Sequence, residues 1–151
     1  VRTYLRRPDS PARAGARSGL ADTIRTHRPQ VVVAHSLGSV VCYETLWAYP
    51  DLAVDLLITV GSPLAMSSVV FERLQPAPTD GRGHRPPNVG RWVNIADPGD
   101  IVAVPRPFTN RFDPDDNHDT AHIHRFDFHL ATHYLAAAAT ASAIVRHLPA
   151  R

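Results

Sequence analysis

With 151 residues, 44% of them hydrophobic and 20% charged, the chain has the length and composition of one globular domain with a substantial core. The net charge is only +2 and every Lys-or-Arg position is arginine: seven arginines among the first 28 residues are offset by seven aspartates between Asp97 and Asp127, a coding bias that does not point to a nucleic-acid partner. The single cysteine, Cys42, excludes an internal disulfide, and neither an 18-residue apolar run nor a leader-like start is visible; export is neither required nor excluded by this, and a cytoplasmic location is the expectation.

Pro11 to Thr26 sets Ala14, Ala16, Leu20 and Ile24 at near-helical spacing with Arg13, Arg17 and Arg25 between them, predicting an amphipathic helix with a solvated arginine face. Gln30 to Ala34 is a β-branched apolar run, the pattern of a parallel strand buried on both faces. Leu37 to Tyr49 is predicted as a mostly buried helix, with Glu44 its one charge, Cys42 in its core face and Pro50 its stop. Val54 to Val60 is a second buried strand, closed by Gly61-Ser62-Pro63. Pro76 to Gly90, with four prolines and three glycines, is expected to be a loop beside a site. Trp92 to Ala96 makes a third strand, ended by Asp97-Pro98-Gly99-Asp100, and Pro105 to Thr120 a second loop. His122 to Phe128, with Ile123, Phe126 and Phe128 apolar, alternates as a last short strand would. Ala131 to Leu148 is an alanine-rich helix, with Arg146 and His147 placed against its C-terminal dipole. Strands alternating with helices predict an α/β fold, a single domain over 1–151 with a mostly parallel sheet flanked by helices.

Ala34-His35-Ser36-Leu37-Gly38 sits where a buried strand turns directly into a helix, the context in which a G-x-S-x-G signature becomes a nucleophile elbow. Small residues two positions either side of the serine would let the two backbones approach; Gly38 fits and Ala34 replaces the first glycine. The turn holds Ser36 at the N-terminus of the helix, where the Leu37 N–H can donate to a developing oxyanion. A serine hydroxyl also needs a base, and the base an orienting acid. In α/β-hydrolases these follow the serine in the order acid, histidine, each in a loop after a later strand. Asp100 and His129 occupy those places. His35 adjoins the nucleophile but is expected to point away and pack or donate a supporting hydrogen bond, and Ser39 to fill the helix.

Ala-His-Ser-Leu-Gly-Ser at 34 to 39, Gly61-Ser62-Pro63-Leu64, Trp92-Val93-Asn94-Ile95 before Asp100-Ile101-Val102, and His129 five residues before Tyr134-Leu135 together resemble the lipase-like α/β-hydrolases related to GPI inositol-deacylases and lecithin–cholesterol acyltransferases. The resemblance runs roughly from Val31 to Leu135. It implies a serine hydrolase acting through an acyl-enzyme on a small-molecule or lipid ester: Ser36 attacks the carbonyl, His129 relays the proton and Asp100 orients His129, with no metal or organic cofactor. The pattern places the acid directly before Ile101-Val102, favouring Asp100 over Asp97, which becomes a turn residue; His129, in the loop, is favoured over His133 as the base.

The same resemblance implies several strands ahead of the helix at Pro11 to Thr26, and a second oxyanion donor from a loop among them. The chain is therefore expected to be the C-terminal part of such a fold, with an apolar strand edge left unpaired. An incomplete, non-catalytic remnant that serves as an interaction module is the alternative. A metal site is a further competing expectation, because Asp113, Asp115, Asp116, His118, Asp119, His122 and His124 crowd one segment; a plain Asp- and Asn-rich surface turn is favoured over it. The pattern leaves the oligomeric state open.

Overall fold

The computed structural model describes residues 2–5, 7–124 and 127–148. A single turn, α1 (Arg2–Leu5), buries Tyr4 and Leu5. Helix α2 (Pro11–His27) starts at a proline, whose missing N–H costs nothing at that position, behind Ser10, whose hydroxyl accepts the Arg13 N–H. Strand β1 (Val31–His35) turns into α3 (Leu37–Ala48) through Ser36 alone. β2 (Val54–Val60), β3 (Val89–Ile95) and β4 (Asp116–His118) follow, and the chain closes with α4 (Ala131–Ala136) and α5 (Ala138–His147). Short 3-10 turns lie at Phe71–Arg73 and Phe108–Asn110.

The four strands form one all-parallel sheet in the order β1-β2-β3-β4, so the protein is an α/β fold. Side chains alternate between the two faces, as the period of a strand requires. On one face Leu57 and Trp92 pack with Val40, Tyr43 and Leu46 of α3, Ile24 of α2, and Phe108 and Phe112 from the β3–β4 connection. On the other, Leu56, Ile58, Val60, Val93 and Ile95 pack with Tyr134 of α4 and Ala143 of α5. Covering both faces is what allows β2 to be apolar at all but Asp55 and Thr59. β1 forms one edge of the sheet, and its Val31, Val32 and Val33 are only partly buried.

Several elements differ from their sequence expectations. Arg13 does not join a solvated face: it is buried and paired with Glu44, which also accepts hydrogen bonds from the Tyr4 hydroxyl at 2.7 Å and the Gln75 N–H at 3.1 Å. Removing one member of such a pair leaves a buried charge unpartnered, a cost of about 3–5 kcal/mol. The third strand begins at Val89, inside the segment expected to be loop. The fourth strand is Asp116–His118, within the expected Pro105–Thr120 loop, and not His122 to Phe128. Residues 121–124 are irregular, and Arg125 and Phe126 of that expected strand lie outside the described residues. Polar contacts hold β4 in place: Arg91 pairs with Asp116, and Asn94 Nδ2 donates to Asn117 Oδ1 at 2.9 Å. Hydrophobic periodicity carries no signal for such a strand. The expected Ala131–Leu148 helix is broken at Ala137, whose backbone is extended at φ −69°, ψ 142°, while the Thr140 hydroxyl donates to the Tyr134 carbonyl at 2.6 Å.

Candidate active site

Ser36 sits in left-handed backbone, φ 51°, ψ −130°, a conformation that costs a non-glycine residue roughly 1–3 kcal/mol and persists only where its surroundings hold it. Three bonds do so. The Ser36 N–H donates to the Val60 carbonyl at 3.2 Å, extending the β1–β2 pairing past the end of β1, and the Ser39 N–H and, at 2.6 Å, the Ser39 hydroxyl donate to the Ser36 carbonyl. With that proton committed, Ser39 Oγ accepts from Ser62 Oγ at 2.7 Å, and Ser62 Oγ in turn accepts the Leu64 N–H at 3.3 Å. Ser39 is thus fully buried under the turn and fastens it, a correction to its expected role as helix filler. The expected close approach at Gly38 is absent too: a Cβ there would meet nothing within 4 Å. Leu37 is the first residue of α3, where a backbone N–H has no acceptor within the helix and can face an oxyanion.

The sequence expectations converge at this point. His129 Nε2 lies 2.8 Å from Ser36 Oγ, and His129 Nδ1 lies 2.8 Å from Asp100 Oδ2. Asp100 is buried and its Oδ1 accepts the Val102 N–H at 2.9 Å, whereas the His129 side chain is 33% exposed and so reachable from solvent. Asp97 faces elsewhere: its carboxylate accepts the Gly99 N–H at 2.7 Å and the Ile123 N–H at 2.6 Å, as a turn residue would. His133 stays outside the cluster, its Nδ1 3.2 Å from the Asp127 carbonyl and its ring stacked on His124 at 3.9 Å. His35 Nε2 donates to the His129 carbonyl at 2.8 Å, holding the backbone that carries the base. Burial, and after it the charge of the neighbouring His129, lower the His35 pKa, and a neutral imidazole suffices for that bond.

Three residues join the site that sequence reasoning had not placed there. Gly61, in left-handed backbone with φ 51°, lies against the acid and base: a Cβ on it would fall 2.8 Å from Asp100 Oδ2 and 3.2 Å from His129 Nδ1. A glycine closing a buried strand was the visible signal. Tyr134, given no role of its own in the sequence, donates its hydroxyl proton to Asp100 Oδ2 at 2.8 Å. The Arg106 guanidinium donates to the carbonyls of Asp97, Pro98, Asp100 and Ala103 at 2.6–3.3 Å, bundling the loop that carries the acid. Nothing in the sequence marks that contact.

The crowded aspartates are occupied by cations and amides. Asp113 pairs with Arg82, Asp115 with Arg85 and Asp116 with Arg91, while Asp119 accepts the Phe108 N–H at 2.9 Å. Among the described residues no group of three or more His, Cys, Asp or Glu side chains is arranged to hold a metal ion, and no helix is long and apolar enough to cross a membrane. Chemically, the Ser36–His129–Asp100 relay can take a proton from a hydroxyl, hold it and return it to a leaving group. No family model matches the chain, and comparisons with curated proteins and with solved structures find no match.

Proposed function

We propose that this protein is a serine hydrolase of the α/β-hydrolase type that cleaves small-molecule or lipid esters through an acyl-enzyme on Ser36. The observation that carries the proposal is the unbroken relay, with Ser36 Oγ 2.8 Å from His129 Nε2 and His129 Nδ1 2.8 Å from Asp100 Oδ2, ending on a serine in strained backbone at the mouth of a helix. His129 takes the Ser36 proton as Oγ bonds to the ester carbonyl, and the Leu37 N–H donates to the resulting oxyanion. Collapse expels the alkoxide, protonated by the His129 imidazolium. Water then repeats the sequence on the acyl-enzyme, and Asp100 stabilises the imidazolium each time. The setting proposed is cytoplasmic, in keeping with a lone cysteine, Cys42, that forms no disulfide.

A second function, binding without catalysis, is favoured by one observation: β1 is a sheet edge whose valines are partly exposed, a surface that a further strand can pair with. A fluorophosphonate probe separates the two. A hydrolase labels stoichiometrically at Ser36 and loses labelling in Ser36→Ala; a binding module does not label at all.

A further inference from the structure

Tyr134 is buried with no exposed surface, and its hydroxyl stands between the two aspartates of the acid loop. Its oxygen accepts the Asp97 N–H at 3.0 Å and its proton goes to Asp100 Oδ2 at 2.8 Å. The acceptance fixes the donation, because the lone pair facing Asp97 leaves the proton directed at Asp100. The same Oδ2 receives the His129 Nδ1–H at 2.8 Å, so one carboxylate oxygen serves two donors. Gly61 makes the convergence possible: a Cβ there would approach Tyr134 Cε2 to 3.0 Å and Asp100 Oδ2 to 2.8 Å.

We propose that Tyr134 is a positioning residue of the Ser36 relay, whose hydroxyl orients the Asp100 carboxylate and shares its negative charge, and so sets the pH range over which His129 serves as a base. This rests on the serine-hydrolase function proposed above. A carboxylate can turn about its Cβ–Cγ bond. The Val102 N–H holds Oδ1, and Tyr134 adds a second anchor that does not depend on the state of His129. A donor on Oδ2 also withdraws charge from the oxygen that stabilises the His129 imidazolium, so its removal strengthens the carboxylate's hold on the proton. Burial, then the hydrogen bond to Asp100 and the charges of Asp100 and Asp97, raise the tyrosine pKa, so Tyr134 remains a donor across the neutral range. The other groups facing His129 are His35 on β1, Asp100 after β3 and Asp127 on its own loop, with the His124–His133 stack beyond; Tyr134→Phe keeps all of these side chains and, besides the donor to Asp100, removes only the acceptor of the Asp97 N–H.

The experiment follows the His129 ring by NMR through a pH titration, its signals assigned with His129→Gln, in the wild type and in Tyr134→Phe. In parallel, the rate of fluorophosphonate labelling is measured against pH. The phenyl ring keeps the packing, and a melting curve shows that the variant is folded. The expected result is a His129 titration midpoint raised by roughly 0.5–1 pH unit in Tyr134→Phe, with the acid limb of the labelling rate moved upward by the same amount. A difluorotyrosine introduced at position 134, a stronger donor, moves both the other way. A midpoint unchanged by Tyr134→Phe, with only a lower melting temperature or a uniformly lower rate, overturns the proposal and leaves Tyr134 a packing residue. A wild type that does not label, but whose His129 midpoint still moves, supports the role of Tyr134 while removing the hydrolase function.

Discussion

The two halves of the candidate site are held by different means. On the nucleophile side, residues 31–48 form one contiguous strand, turn and helix, and Ser36 is fixed largely through its backbone: by the Val60 carbonyl, by the β1–β2 register and by Ser39 on its own carbonyl. On the acid–base side, Asp100 and His129 lie on irregular chain and are fixed by side chains from elsewhere. Arg106 gathers the carbonyls of the acid loop, the Asp97 carboxylate ties that loop to Ile123, and Tyr134 and His35 reach in from α4 and β1. The geometry of the nucleophile is therefore a property of the fold. That of the base depends on a buried polar network, in which single atoms matter because an unpaired group in a dry setting is costly.

The largest expected effect tests the acid. Asp100→Asn removes the charge that stabilises the imidazolium and is expected to slow probe labelling by about 10³–10⁴-fold, with a stability loss of about 1–3 kcal/mol besides because its carboxylate also accepts the Val102 N–H and the Tyr134 hydroxyl. Asp97→Asn should separate stability from rate: a stability loss of about 1–2 kcal/mol, from two partly buried N–H groups losing a charged acceptor, and a rate change under about tenfold. Equal rate losses in the two variants would erase the distinction between acid and turn residue. Next comes Gly61→Ala, which combines a side chain in left-handed backbone with a 2.8 Å clash against Asp100 Oδ2. It should cost about 1–3 kcal/mol in chemical denaturation and slow labelling roughly 10–100-fold. Smaller again is Ser39→Ala, which takes one of three bonds from the elbow: about 1–2 kcal/mol of stability, with labelling reduced only several-fold because the Ser39 N–H and the β1–β2 pairing still hold Ser36. A loss as large as that of Gly61→Ala would show that the nucleophile also depends on side chains.

The smallest effect is a slope. Burial first, then hydrogen bonding to Glu44 for Tyr4 and to Asp100 for Tyr134, raise these hydroxyls above the ordinary tyrosine value of 10.0. Their folded values exceed their unfolded ones, so their contribution to stability is fully present below pH 10 and is lost as pH rises beyond it. Thermal melts between pH 8.5 and 11 should fall more steeply above pH 10 for the wild type than for Tyr134→Phe; parallel curves would contradict this.

The same division explains what was legible in the sequence. The β1-turn-α3 unit follows from contiguous residues, so a five-residue pattern and an apolar run placed both the strand and Ser36. Asp100 and His129 could be placed in their loops because each adjoins a recognisable punctuation, the Asp-Pro-Gly-Asp that ends β3 for the first and the helix that begins just after it for the second, although among the described residues no strand lies directly ahead of His129 as expected. What escaped was non-local or polar. Arg13 looked like surface because its partner Glu44 lies 31 residues away. β4 is built from Asp, Asn and His, which carry no strand periodicity. Tyr134 stood in an alanine-rich helical stretch that gave its hydroxyl no task, and only the arrival of the acid loop there reveals one.

The most direct test of the central claim is stoichiometric labelling by a fluorophosphonate, read as intact-protein mass with the adduct mapped by peptide. The relay geometry predicts one adduct per chain, on Ser36, abolished in Ser36→Ala and in His129→Ala while both variants keep the wild-type melting profile. A folded wild-type protein that takes up no probe, or takes it up on a residue other than Ser36, would contradict it.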